Sequence, residues 1–237
     1  MVELRASGDI DGCRSGAMEP DVGAWFDLLS FVPKYVHLRT LTRRGARLLA
    51  LDEAHGPVTL DYFAVRVYRL PRGTATPETL LRQVRLELNE LINPRFAKFQ
   101  PVTAHDERRW RSRAPSGALL HMDPTQEVPL LCSQANKSHW RLSTVSTRAG
   151  QIHLLSGNRE WGFAETDDNG WVFYTRGAER VSEIGDVPWQ RLIFEGTRHL
   201  WGSFQRGLEH SINSRGGQAL VEAPEIYHHP WSEVAAT

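Results

Sequence analysis

Between positions 153 and 180 the sequence offers, among other polar residues, His153, Glu160, Tyr174, Arg159, Arg176 and Arg180 as a candidate set. Histidine beside a carboxylate and arginine is the equipment of general acid–base chemistry or of anion binding. The same residue types also build ordinary loop salt bridges, which is the more frequent outcome. An arginine fork grips a carboxylate or phosphate through two parallel bonds, and a neighbouring tyrosine adds a ring wall and one hydroxyl. A ligand site is therefore expected at Arg176, with Tyr174 and Arg159 close by and Glu160 and His153 completing the polar set.

These residues are placed by the stretch WGFAETDDNGWVFYTRGAERV, residues 161–181, which reads as two strands around a turn. Side chains alternate along a strand, so Trp161 and Phe163 share one face and Trp171 and Phe173 share another. A three-residue loop with Gly170 in the left-handed conformation puts all four rings on the same side. A four-residue loop would expose two of them, and burying each is worth roughly 1.5–3 kcal/mol. The odd loop is expected, with the four aromatics facing the second good helix at Trp201 and Phe204. The opposite face then carries Glu160, Gly162, Ala164, Val172, Tyr174 and Arg176. Two readings of that face are open. One is a solvated surface with a Glu160–Arg176 cross-strand pair worth at most about 1 kcal/mol. The other is a small pocket floored by Gly162 and Ala164. Charged strand faces are usually wet, which favours the first.

Other motifs carry less chemistry. Ser143, Thr144, Ser146 and Thr147 lie near His139, but no G-x-S-x-G elbow surrounds them, and strand-forming hydroxyls are the simpler account. His228 and His229 are adjacent, so in extended chain their side chains diverge and make no metal site unaided. The DDNG at 167–170 lacks the ligand spacing of a calcium loop and reads as a turn. No phosphate-binding loop, dinucleotide fingerprint, H-E-x-x-H or C-x-x-C is present, and neither a metal nor a cofactor is expected. Trp110 within ERRWRSR offers a short basic–aromatic surface, read as loop.

The elements around the hairpin follow from periodicity. Residues 1–22 are polar and aperiodic and read as a flexible arm. A short helix is expected from Val22 to Phe31, stopped by Pro33. In VTLDYFAVRVYRL, Phe63, Val65 and Val67 alternate with Tyr62, Ala64, Arg66 and Tyr68, as in a half-buried strand. From Thr76 to Ile92 a helix is capped by Thr76, opened by Pro77 and striped by Leu80, Leu81, Val84, Leu88, Leu91 and Ile92. VPLLCS, HWRLSTVST and QIHLLSG read as three strands. A long second helix carries Leu200, Trp201, Phe204, Leu208 and Ile212 on one stripe and ends at Gly216-Gly217. The expected fold is α+β: an antiparallel sheet, one mid-chain amphipathic helix and a long C-terminal helix packed on the sheet in a helix-grip-like layout. One domain over 23–220 and a polar C-terminal tail over 221–237 complete the division.

Composition bounds the function. With 28 basic against 28 acidic residues there is no global pull toward nucleic acid or an anionic membrane. Apolar residues at 41% support a core. The basic residues are nearly all arginine, the lysines being Lys34, Lys98 and Lys137, a bias that coding composition alone produces. Cys13 and Cys132 are too few and too separated for a disulfide framework, and the N-terminus lacks a signal-peptide core, so a cytoplasmic location is expected. The leading function is a soluble domain binding a small or apolar ligand between sheet and C-terminal helix. The alternatives are an enzyme with an acid–base or anion-binding site in the 153–180 region, and an accessory protein that binds a protein partner through surface tryptophans.

Overall fold

The hairpin folds as its aromatic spacing requires. In the computed structural model, which describes residues 25–123, 128–147 and 153–235, Phe163 pairs with Phe173 and Glu165 with Trp171. Trp161, Phe163, Trp171 and Phe173 therefore share a face. The loop is Asp167–Asn169, closed by the Thr166 N–H donating to Gly170 O at 3.1 Å. Asn169, not Gly170, takes the left-handed position at φ 59°. Asparagine is one of the few residues that tolerates it.

In chain order the elements are helices α1 (Phe26–Leu29) and α2 (Tyr35–Arg43), strands β1 (Ala46–Leu48) and β2 (His55–Arg69), and helices α3 (Pro77–Leu86) and α4 (Leu88–Leu91). Then come β3 (Lys98–Pro101), α5 (Ala104–Arg111), β4 (Leu119–Asp123), β5 (Val128–Ala135), β6 (His139–Thr147), β7 (Leu155–Glu165) and β8 (Trp171–Val181). A 3-10 turn (Ile184–Trp189) leads into α6 (Gln190–Ser214), followed by β9 (Gln218–Val221), β10 (Glu225–His229) and α7 (Trp231–Val234). The sheet runs β10-β2-β8-β7-β6-β5-β4-β3, with β1 on β6 and β9 on β2. The fold is α+β, an antiparallel sheet with the long α6 packed on it in a helix-grip-like arrangement.

Both faces of the sheet are covered. On the inner face Phe63, Val65, Trp140, Leu142, Trp161 and Phe173 pack with the stripes of α3, α4 and α6 in one core. Four indoles run through it. Trp110 meets Trp140 edge-on at 5.4 Å, Trp140 stacks on Trp161 at 4.0 Å with rings 6° from parallel, and Trp161 meets Trp201 edge-on at 5.4 Å. On the outer face Val58, Leu60 and Ala178 pack against Trp25 and Leu28 at α1 and Val234 of α7.

Several expectations change. The mid-chain helix is capped by Thr76, whose hydroxyl accepts from Thr79 N–H, but it is broken at Glu87 into α3 and α4. Its stripe is buried throughout. ERRWRSR is mostly helix α5, capped by Thr103, and Trp110 is core rather than surface. The last three residues of QIHLLSG, Leu155–Gly157, begin β7, so this segment is no separate strand. Its residues 151–152, like the arm at 1–22, Cys13 and the expected helix start at Val22, lie outside the described residues. The segment read as a polar tail supplies edge strand β10, paired along β2 from Glu225–Tyr62 to His229–Val58.

The break at Glu87 lets α4 meet α6 closely. A Cβ on Gly207 would lie 2.0 Å from the Leu91 carbonyl oxygen, whereas one on Gly196 of the same helix meets nothing within 4 Å. Gly207→Ala should lower the unfolding free energy by about 1–3 kcal/mol. Gly196→Ala should raise it by about 0.5–1 kcal/mol through helix propensity. Denaturant titration of both variants checks the pair, and equal shifts would mean α4 and α6 are not in contact.

Candidate functional site

Alternation along β7 divides the expected site. Arg159 and Trp161 point to the inner face, Glu160 and Gly162 to the outer one, so the six polar residues of 153–180 do not meet in one cluster. Arg159 and His153 border the space beneath α6. Glu160, Tyr174 and Arg176 form a separate network under α1, and Arg180 stacks over Trp231 at 4.5 Å while its Nε donates to Gly56 O at 3.0 Å.

The outer network is neither a solvated surface nor a pocket. The Glu160 carboxylate is 1% exposed and accepts from Arg141 Nε at 3.2 Å, Arg176 Nε at 3.0 Å and the Tyr174 hydroxyl at 3.0 Å. The space that Gly162 leaves is filled by the Tyr174 ring, since a Cβ there would lie 2.5 Å from the tyrosine oxygen. α1 closes the face: Asp27 accepts from Arg141 at 2.7 Å and from Arg176 at 2.8 Å, and Asn158 Nδ2 donates to Leu28 O at 3.1 Å. Burial works to raise the Glu160 pKa, but Arg176 and Arg141 outweigh it and hold the carboxyl below its ordinary value. Burial, aided by Glu160, pushes the Tyr174 phenol up. This network anchors α1 to the sheet.

The inner face holds a second ion cluster, and sequence reasoning missed two of its three members. Arg159 Nη1 and Nη2 donate to the two oxygens of Asp61 at 2.8 and 2.6 Å, and its Nε and Nη2 donate to Glu179 at 3.2 Å each. All three side chains are buried, and the guanidinium lies over the Trp201 ring at 4.4 Å. Burial raises the Asp61 pKa to about 6 against the pull of Arg159. The available signal was Asp61 itself, a carboxylate in register with Phe63 and Val65 on the core side of an apolar strand.

Beside this cluster a partly open cavity of about 70 Å³ lies between the sheet and α6. Its walls include Phe99, Leu130, Leu142, Leu155, Trp161 and Trp201, with Glu179, Arg159 and His153 as polar points. The Trp161 and Trp201 Nε1 atoms are buried without a hydrogen-bond partner among the described residues. His153 is buried, with Nδ1 3.0 Å from Leu155 N, and burial lowers its pKa to about 4. The imidazole is therefore neutral at physiological pH. The arrangement can hold an apolar body beside the Trp161 and Trp201 rings. It does not assemble the acid–base set of His153, Arg159, Glu160 and Arg176, because the sheet separates them.

Two outcomes follow. Glu160→Gln removes the buried charge shared by Arg141 and Arg176, leaves Asp27 to answer both guanidinium groups, and should cost about 3–5 kcal/mol, while Asp27→Asn, at a half-exposed side chain, should cost under about 1 kcal/mol. Equal costs in chemical denaturation would show the network to be solvated. For His153, the folded pKa lies below the unfolded one, so the unfolded state binds more protons between about pH 4 and 6.5. Stability is full above that window and falls as pH drops through it; Asp61 titrates with the opposite sign. His153→Gln should lose less stability than the parent between pH 7 and 5, and identical losses would mean the imidazole reaches water.

No protein-family model and no curated protein matches the chain. Among solved structures, it is similar to the di-domain ARO/CYC StfQ from the steffimycin biosynthetic pathway, at 14% identity and TM-score 0.45 over 67% of this chain. The match spans about half, 52%, of that longer chain. Ara h 8.0201 is similar over 63% of this chain and 97% of its own, at 10% identity and TM-score 0.37. A protein from Nitrosospira multiformis is similar over 66% and 99%, at 10% identity and TM-score 0.36. These are likenesses of general layout, and the helix-grip-like description rests on this chain's own strand order and on α6.

Proposed function

We propose that the chain binds a small, largely apolar molecule carrying a hydroxyl or carbonyl group, held between the inner face of the sheet and α6. The observation that supports this most directly is a mainly apolar recess lined by Trp161 and Trp201, two residues whose buried indole N–H groups have no hydrogen-bond partner among the described residues. A buried donor without a partner costs about 1–3 kcal/mol, and a ligand acceptor that reached either indole N–H would recover that cost. The charged side chains at the cavity edge are already paired with one another, which favours a neutral ligand over an ionic one.

Size sets a limit. A cavity of about 150 Å³ takes benzene, and the one here is about half that. As the chain stands it admits a short branched alcohol or ketone; a ring requires α6 to move away from the sheet. Among the described residues no helix is long and apolar enough to cross a membrane, and a cytoplasmic site of action belongs to the same reading. The partner-binding alternative drew on surface tryptophans, and Trp189, 59% exposed, is the one well-exposed indole among the described residues.

The test is proton–nitrogen NMR of the indole groups during titration with isobutanol and then cyclohexanol. The Trp161 and Trp201 indole signals should shift with isobutanol while that of Trp189 stays. Leu142→Ala, which widens the cavity wall, should admit cyclohexanol more tightly than the parent does. Shifts confined to Trp189, or absent from Trp161 and Trp201 in both proteins, would overturn the reading.

A further inference from the structure

A second recess lies on the inner side of the sheet, beyond Trp140. It is an open groove of about 630 Å³ between α3, the turn joining β5 to β6 and the segment after α5. Three separate stretches of chain send cations to it: Arg82 and Arg85 from α3, Arg113 after α5, and Lys137 from the β5–β6 turn. Glu78 is the one carboxylate among the lining residues. Arg82 and Arg85 stand three residues apart on one helix face, where like charges repel. Four cations against one carboxylate give the groove a net positive charge.

Arg85 makes the point sharpest. It is 4% exposed. Its guanidinium donates to the carbonyls of Trp110 and Ser112 and lies 5.1 Å from the Trp110 ring centre. It takes part in no salt bridge among the described residues. A buried charge without an opposite charge is strongly disfavoured, and burial lowers the Arg85 pKa to about 10. Two carbonyl oxygens hold the guanidinium in place but leave its charge uncompensated. Trp140, which lines the same groove and is 2% exposed, has a buried indole N–H that also lacks a hydrogen-bond partner among the described residues. Leu81, Pro115, Ala135 and Trp140 give the groove an apolar wall beside these donors.

We propose that this groove binds a small organic phosphate, with Arg82, Arg85, Arg113 and Lys137 around the phosphoryl group and the apolar wall against its organic part. A dianion matches the surplus of cations, and guanidinium forks suit phosphate oxygens bidentately. The volume lies in the range of ordinary small-molecule sites. This site is distinct from the cavity under α6: Trp140 lines the groove, Trp161 lines the cavity, and their stacked rings stand between the two.

Calorimetric titration with phenyl phosphate and with inorganic phosphate tests the assignment on the full chain. Arg82 and Arg113 are exposed, so Arg82→Gln and Arg113→Gln should fold normally, which thermal melts verify. Phenyl phosphate should bind more tightly than inorganic phosphate, and each variant should weaken it roughly tenfold, the scale of one charge-assisted hydrogen bond. Arg191→Gln, at an exposed arginine outside this groove, should leave binding unchanged. No heat from phenyl phosphate at millimolar concentration would overturn the proposal, as would affinities unaltered in both variants. Equal binding of inorganic phosphate would remove the organic part from it. Binding of a single-stranded oligonucleotide in place of phenyl phosphate would also overturn it.

Discussion

Arg159 and Glu160 are neighbours in sequence, opposite in charge, and placed midway along a strand that is covered on both sides. Each has to be neutralised on its own face, because the sheet lies between them. Arg159 is answered by Asp61 and Glu179 from the two strands beyond it, and Glu160 by Arg141 and Arg176 from the strands to either side. Much of the remaining layout serves this requirement. α1 shields the Glu160 network and lends it Asp27. α6 shields the Arg159 cluster and lays the Trp201 ring against the guanidinium. Neither ion group is cheap to bury, and the covering that makes them costly leaves a small recess beside one of them.

What the sequence made legible was whatever one dominant face dictates. The stripes of α3 and α6 and the parity of the 161–173 aromatics follow from burial on a fixed period, and these appear as expected. The break at Glu87 does not show in that pattern, because Leu88 and Leu91 continue the stripe in α4 as well as they would in a longer helix. α5 carries so many charges that its two buried residues, Asp106 and Trp110, give no period to read. The edge strand β10 pairs with β2 on one side only, and its sequence EIYHHP looks like loop.

The candidate site was legible in its residues and not in its grouping. The parity that puts the aromatics on one side also separates Arg159 from Glu160, so proximity in sequence misleads on a strand. Whether the outer face is wet depends on α1, a helix of four residues whose hold on the sheet comes from Asp27 and two backbone carbonyls rather than from a long apolar stripe. The groove beyond Trp140 draws on four positions spread from 82 to 137, no two of which form a motif. Convergence of that kind belongs to tertiary structure alone.

The Trp140–Trp161 stack has an optical consequence. Two indoles 4.0 Å apart and nearly parallel are close enough for their electronic transitions to mix, so light absorbed by one ring is shared with the other. Trp110 and Trp201 extend the array at either end. The ultraviolet circular dichroism of this protein therefore carries an excitonic contribution whose sign and size are set by the in-plane angle between the two rings. Secondary-structure fractions fitted to that spectrum with backbone bands alone will be in error, and the size of that contribution will report instead on how rigidly the two rings are held.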